Sequence, residues 1–167
     1  MKTLFSILLF FSAFSLLSQN ASQYDNIPLN NAANYRKAEP QVILAADYVY
    51  STPVDKENIN RKNAVSFVMK WMAGTSDYSF GMDETITKIA GGDNEILTIY
   101  FISLAKYALG KGKGVDREES KYNAYVMLAT YCENPANNYK PRGEVKKLID
   151  AKNQDKLKEF LDSKQKK

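Results

Sequence analysis

The apolar residues of this chain recur at helical spacing in one segment after another, which constrains the fold more than any other feature. The longest stripe covers residues 94–109, where Ile96, Leu97, Tyr100, Phe101 and Leu104 share one face. No two alternating segments pair up as neighbouring strands. The pattern therefore predicts an all-α fold: a single domain of six to seven amphipathic helices, arranged as a bundle or as an irregular stack of helical hairpins.

Capping residues and helix breakers set the expected helix ends. Asp83, Asp93 and Asp116 stand where an N-cap is expected, and either Asp55 or Asn58 caps the second helix. Pro40 is read as a first-turn proline, which starts the first helix there. The predicted helices cover 40–52, 56–73, 84–90, 94–109 and 117–133, with two short helices after residue 143. Residues 75–82 are predicted to be a packed loop.

The first 18 residues have the layout of a secretory signal peptide, with Lys2 ahead of an uncharged apolar run from Leu4 to Leu17. A buried N-terminal helix is the alternative interpretation. The run is shorter than the about 20 residues that a membrane-spanning helix needs. Cleavage is expected between residues 18 and 22, after Ser18 or Ala21, and no cysteine there offers a lipoprotein anchor. A periplasmic or secreted protein with no transmembrane segment after cleavage is the resulting expectation.

The rest of the chain divides by composition into three parts. Residues 19–38 are rich in Asn, Gln and Ser and are predicted to form an extended polar leader. Residues 39–163 carry the helical pattern and are predicted to form the single domain. Residues 164–167 are predicted to be a disordered basic tail.

Composition excludes several kinds of catalytic and metal site. The 167 residues include no histidine and one cysteine, Cys132. A Ser-His-Asp triad, a Cys-His dyad, a His-ligated metal and an intrachain disulfide are therefore impossible. The 23 basic and 19 acidic side chains give a net charge of only +4, which does not favour nucleic acid. We accordingly expect no catalytic residue, no metal and no cofactor.

Three groups of residues could be reactive, and each also has a structural explanation. Carboxylates such as Asp77, Asp83, Glu84 and Glu133 could converge as in a glycosidase, but capping accounts for Asp83. The glycines of residues 110–114 could cradle a phosphate, although a solvated turn between helices is favoured. Cys132 lies on an apolar helix face and is expected to be a buried structural thiol.

Aromatic residues supply the candidate binding site. The chain has eleven tyrosines and one tryptophan. Exposed aromatic side chains dominate recognition surfaces, so a groove between helices lined by Trp71, Tyr78, Phe80 and Tyr107 is the candidate. Packing of the same residues in an ordinary helical core is the alternative.

Residues 63–67 (NAVSF) and the pattern WMxGTxDYxF over residues 71–80 resemble small exported helical proteins of Bacteroidetes-type bacteria that have no assigned function. The resemblance covers roughly residues 60–110. It implies a bacterial envelope or secreted setting and a helical fold, and it transfers no catalytic residue. The leading hypothesis is a non-catalytic exported binding module of the cell envelope, with an envelope protein or polymer as ligand. The alternative is a small carboxylate-dependent hydrolase acting on cell-wall glycan or another polymer.

Overall fold

The computed structural model describes residues 22–165, and within that range it contains seven α-helices and no β-strand. The all-α prediction is therefore confirmed. The helices are α1 (Ala32–Ser51), α2 (Ile59–Gly74), α3 (Glu84–Ala90), α4 (Asn94–Lys111), α5 (Arg117–Glu133), α6 (Gly143–Asn153) and α7 (Leu157–Gln165). A single 3₁₀ turn, Pro135–Asn137, connects α5 to α6.

Helix α4 lies at the centre of the fold and packs against α1, α2, α3 and α5. Its position follows from its sequence, because apolar side chains occupy most of its circumference rather than one stripe. Ile96, Ile99, Tyr100 and Ile102 are completely buried. These residues join a continuous core to which all seven helices contribute.

Side-chain caps begin the helices at the expected places. Asp83, Asp93 and Asp116 each accept a hydrogen bond from a backbone N–H in the first turn of α3, α4 and α5. Asn58, rather than Asp55, caps α2 by accepting from the N–H of Arg61. Each cap satisfies one of the N–H groups that a helix start leaves without a partner.

The predicted start of the first helix at Pro40 is wrong, because α1 already begins at Ala32. Asn31 caps it by accepting a hydrogen bond of 3.0 Å from the N–H of Asn34. Pro40 therefore lies inside the helix, where its missing N–H leaves the carbonyl of Arg36 without its helical partner. Arg36 and Pro40 are both exposed, so water can hydrate this face of α1.

The described part of the predicted polar leader is not extended. Residues 23–26 form turns, and α1 occupies residues 32–38. The ring of Tyr24 stacks on Phe67 of α2 at 4.6 Å, while Ile27 and Leu29 pack against the core. Three apolar side chains among many polar ones are enough to hold the segment on the surface of α2.

The predicted disordered tail is wrong for Lys164 and Gln165, which end α7. The Lys164 carbonyl accepts a hydrogen bond of 2.9 Å from Lys88, and its ammonium lies 2.5 Å from Glu144. Residues 166–167 and the predicted signal peptide lie outside the described residues. None of the helices between residues 22 and 165 has the length and apolar character needed to cross a bilayer.

Candidate ligand-binding site

The loop between α2 and α3 carries an aromatic cluster formed by Trp71, Tyr78 and Phe80. Trp71 is completely buried and donates its indole N–H to the carbonyl of Tyr35 at 3.0 Å. The rings of Tyr78 and Phe80 lie 5.5 and 5.8 Å from the Trp71 ring, and 6.2 Å from each other. Residues 75–82 are therefore a packed loop, as predicted, with Ser79 facing outward between two half-buried rings.

A cavity of about 170 Å³ lies between this loop, α4 and the beginning of α5, and we call it the aromatic pocket. Tyr78 and Phe80 form one wall, while Leu104 and Ala108 of α4 form the facing wall, with Val115 at one end. The polar lining consists of side chains at the rim and at the base of α5, namely Asp77, Ser79, Arg117, Ser120 and Lys121.

Asp77 ties the loop to two distant parts of the chain. Its carboxylate accepts hydrogen bonds of 2.7 and 3.1 Å from Arg36 of α1, and Lys113 lies 2.7 Å away. The Arg36 hydrogen bond, followed by that of Lys113, holds the pKa of Asp77 well below its usual range. Asp77 is therefore an ionised anchor for the loop, and it cannot serve as a proton donor near neutral pH.

Two cations border the aromatic pocket in different electrostatic settings. Lys121 is paired with Glu118 at 2.9 Å and with Asp83 at 3.6 Å. Arg117 forms no ion pair within residues 22–165, and its guanidinium lies against Gly81. A Cβ at position 81 would come within 2.9 Å of Arg117 Nη2, so the glycine provides the space that the guanidinium occupies.

Ser120 contributes a hydroxyl group that has no hydrogen-bonding partner in the described part of the chain. The residue is 7% exposed and lines the aromatic pocket one helical turn from the start of α5. Buried polar atoms in folded proteins nearly always have a partner, either protein or water. The Ser120 hydroxyl is thus an unsatisfied buried group beside the aromatic pocket.

The structure brings together three of the four predicted binding residues. Tyr78 and Phe80 line the pocket, whereas Trp71 lies behind them and is closed to a ligand. Tyr107 is elsewhere on α4, donates its hydroxyl to Glu119 at 2.6 Å and lies beneath the Lys111 ammonium. Tyr107 is not part of the lining of the aromatic pocket, and its hydroxyl and ring contact Glu119 and Lys111 instead.

The carboxylates considered for catalysis are separated and already engaged. Asp83 caps α3 and accepts a hydrogen bond of 3.1 Å from Tyr125, and Glu84 is paired with Lys88. Glu133, at the end of α5, binds Lys152 and Asn153, and these hydrogen bonds lower its pKa. A general acid needs the opposite shift, as in glycosidases.

Cys132 is a buried free thiol, as predicted. Burial is the main reason that its pKa is raised, to about 12, with Asp93 and Glu95 acting in the same direction. A thiolate is the reactive form of cysteine, so this residue has a structural role at neutral pH. No group of three acidic or cysteine side chains within residues 22–165 is arranged to hold a metal ion.

The glycine-rich segment 110–114 is a turn between α4 and α5. Gly112 ends α4 with φ = 89°, a backbone conformation that glycine adopts without strain. Lys111 is 3.2 Å from Glu119, and Lys113 pairs with Asp77. Both lysines are therefore engaged with carboxylates, and Gly114 helps to line the aromatic pocket.

A second cleft of about 610 Å³ lies between the end of α3 and the beginning of α6. Lys88, Tyr139 and Arg142 border it, and it is widely open to solvent. The Tyr139 hydroxyl donates a hydrogen bond of 3.0 Å to the Asp93 carboxylate. This cleft is more open than the aromatic pocket, and polar atoms form a larger share of its lining.

Most residues of the aromatic pocket were not predicted as binding residues from the sequence, among them Gly81, Arg117 and Ser120. The two α5 residues could be placed on a helix but not next to the 75–83 loop, which is distant in sequence. A search of protein-family models, of curated proteins and of solved structures gave no match to the chain.

Proposed function

We propose that the chain is an exported, non-catalytic binding module of the bacterial cell envelope, and that its ligand is an envelope protein or polymer. The observation that carries the proposal is the aromatic pocket, whose lining combines the rings of Tyr78 and Phe80 with Arg117 and with a Ser120 hydroxyl that has no partner among residues 22–165. A largely apolar cavity with a few convergent polar groups is the usual form of a binding site.

Export is supported by the sequence of residues 1–18 and by the resemblance of residues 60–110 to small exported proteins. The single free cysteine is compatible with an oxidising compartment, because a lone buried thiol has no partner for an intrachain disulfide. A periplasmic or secreted location therefore remains part of the proposal.

The hydrolase alternative is not favoured. It requires one carboxylic acid that stays protonated beside a second, ionised carboxylate. The pKa values of Asp77 and Glu133 are lowered by cationic neighbours, the opposite of what a general acid needs. Asp83 and Glu118 are both engaged in ion pairs with Lys121.

The test uses the full chain expressed in a bacterial host, followed by cell fractionation and purification of the processed protein. We expect it in the periplasm or the medium. We also expect it to cosediment with peptidoglycan sacculi or with outer-membrane vesicles, without releasing reducing sugar ends. Binding to the sacculi indicates a polymer ligand, whereas binding to the vesicles indicates a membrane-protein ligand.

A cavity-filling variant ties this binding to the aromatic pocket. Ala108→Leu places a larger side chain into the space, and filling a cavity is usually neutral or stabilising for the fold. We expect at least a tenfold loss of cosedimentation, with Ala73→Leu, an exposed position of α2, as the matched control. Unchanged binding by Ala108→Leu, or release of reducing ends, would contradict the proposal.

A further inference from the structure

The size of the aromatic pocket limits what can enter it. Its volume of about 170 Å³ is close to that of an apolar protein cavity of about 150 Å³ that holds one benzene molecule. Tyr78, Phe80 and Leu104 are the largest apolar residues of its lining. A group the size of one ring or one branched aliphatic side chain therefore fits, and a sugar ring with its hydroxyl groups would lose hydration against these walls.

The polar end of the pocket offers hydrogen-bond donors. Ser120 is 7% exposed, and its hydroxyl has no partner in the described chain. The exposed Arg117 belongs to the same lining, its guanidinium lies against Gly81, and no carboxylate is within ion-pair distance of it among the described residues. A hydroxyl and a guanidinium together can bind a planar anion with two oxygens.

The charge balance indicates a monoanion. Asp77 is the carboxylate of the lining, and two cations, Arg36 and Lys113, lie beside it. Two carboxylates, Glu118 and Asp83, lie beside Lys121, so the charges of the two groups cancel. Arg117 therefore contributes the one cationic charge of the lining that the described residues leave without an ion pair, and a phosphate dianion would be only half compensated.

We propose that the aromatic pocket binds a carboxylate attached to a compact apolar group, with the carboxylate on Arg117 and Ser120 and the apolar group between Tyr78, Phe80 and Leu104. This inference rests on the proposed function, since it names the chemistry of the group that the same pocket accepts. Two sources have this chemistry: a free small organic acid, and the apolar C-terminal residue of a peptide or protein.

The experiment titrates the purified processed protein with cyclohexanecarboxylate and with its neutral isostere, cyclohexanecarboxamide. Calorimetry measures the affinity, and the emission of Trp71, the single tryptophan, reports contact with the neighbouring rings. We expect the carboxylate to bind at least tenfold more tightly than the carboxamide. N-acetyl-leucine and N-acetyl-leucinamide form the second arm. Preference for N-acetyl-leucine identifies a C-terminal residue as the source, and preference for cyclohexanecarboxylate identifies a free acid.

Three variants test the assigned contacts. Arg117→Gln is expected to weaken carboxylate binding at least tenfold and to leave carboxamide binding unchanged, whereas Arg142→Gln, an exposed arginine of the second cleft, changes neither. Gly81→Ala should reproduce the Arg117→Gln effect, because the new Cβ displaces the guanidinium while the flexible side chain moves at little cost to the fold. Ser120→Ala should weaken carboxylate binding several-fold.

Equal affinity for the carboxylate and the carboxamide would overturn the assignment, as would no binding of either or an unchanged affinity in Arg117→Gln. Failure of both small probes, with envelope binding still blocked by Ala108→Leu, would remove this inference and leave the proposed function standing. Carboxylate binding without any envelope binding would support the assigned chemistry and contradict the envelope role.

Discussion

Trp71→Ala is expected to lower the free energy of unfolding by about 3–5 kcal/mol, which is the usual cost of removing a large buried aromatic side chain. Trp71 is 0% exposed, and its indole N–H reaches from α2 to the carbonyl of Tyr35 in α1. Removal of the indole ring would leave a cavity beneath Tyr78 and Phe80, which pack on that ring. Urea unfolding followed by far-ultraviolet circular dichroism measures the change, since the variant has no tryptophan emission.

Leu44→Ala is the matched control for this experiment. Leu44 is also an apolar residue of a long helix, but it is 61% exposed, so its removal should change stability by less than about 0.5 kcal/mol. A loss for Trp71→Ala no greater than that of the control would contradict the role of the indole as the support of the loop. Trp71→Phe should fall between the two, because it retains a ring and loses the hydrogen bond to Tyr35.

Glu95→Gln is expected to cost about 3 kcal/mol of stability, since it leaves the buried Arg61 guanidinium without a counterion. Arg61 is 5% exposed, forms a two-point contact with Glu95 and donates to the Tyr131 hydroxyl at 3.3 Å. Burial opposes the charged guanidinium, but the hydrogen bonds and charge of Glu95 outweigh it, so the pKa of Arg61 is raised. Denaturant unfolding of both proteins gives the difference directly.

Glu84→Gln is the control for Glu95→Gln. Glu84 pairs with Lys88 on the surface of α3, and its side chain is 64% exposed, so its loss should cost less than about 0.5 kcal/mol. The double variant Arg61→Met with Glu95→Leu replaces the buried pair by apolar groups. Recovery of most of the lost stability is expected, because no buried charge remains. A double variant as unstable as Glu95→Gln would contradict this explanation.

The sequence predicts well those features that depend on neighbouring residues. The caps at Asp83, Asp93 and Asp116 lie where they were expected, because a capping side chain bonds to a backbone N–H two or three residues away. The central position of α4 was likewise predictable from its apolar circumference. The prediction of a packed loop over residues 75–82 follows from the alternation of Tyr78 and Phe80 without a partner strand, although the sequence leaves open whether these two rings face inward or outward.

The sequence predicts poorly those features that depend on how the helices pack. Asn31 and Pro40 are both residue types that can begin a helix. The helix begins after Asn31, and its early part includes Tyr35, whose carbonyl accepts a hydrogen bond from Trp71 of α2. The aromatic pocket needs Gly81 beside Arg117, two residues 36 positions apart, and no local pattern records that proximity. Helical spacing alone also does not show that the Tyr107 hydroxyl lies beside Glu119 of α5.

The most direct test of the central claim, that the aromatic pocket is the ligand site, is backbone amide chemical-shift mapping of the isotope-labelled processed protein. Cyclohexanecarboxylate and soluble peptidoglycan fragments would each be titrated into it. If the aromatic pocket is the ligand site, the largest chemical-shift changes are expected at Gly81, Ala108 and Ser120, together with the Trp71 indole N–H. Shifts concentrated instead around Tyr139 and Arg142, at the second cleft, would contradict it.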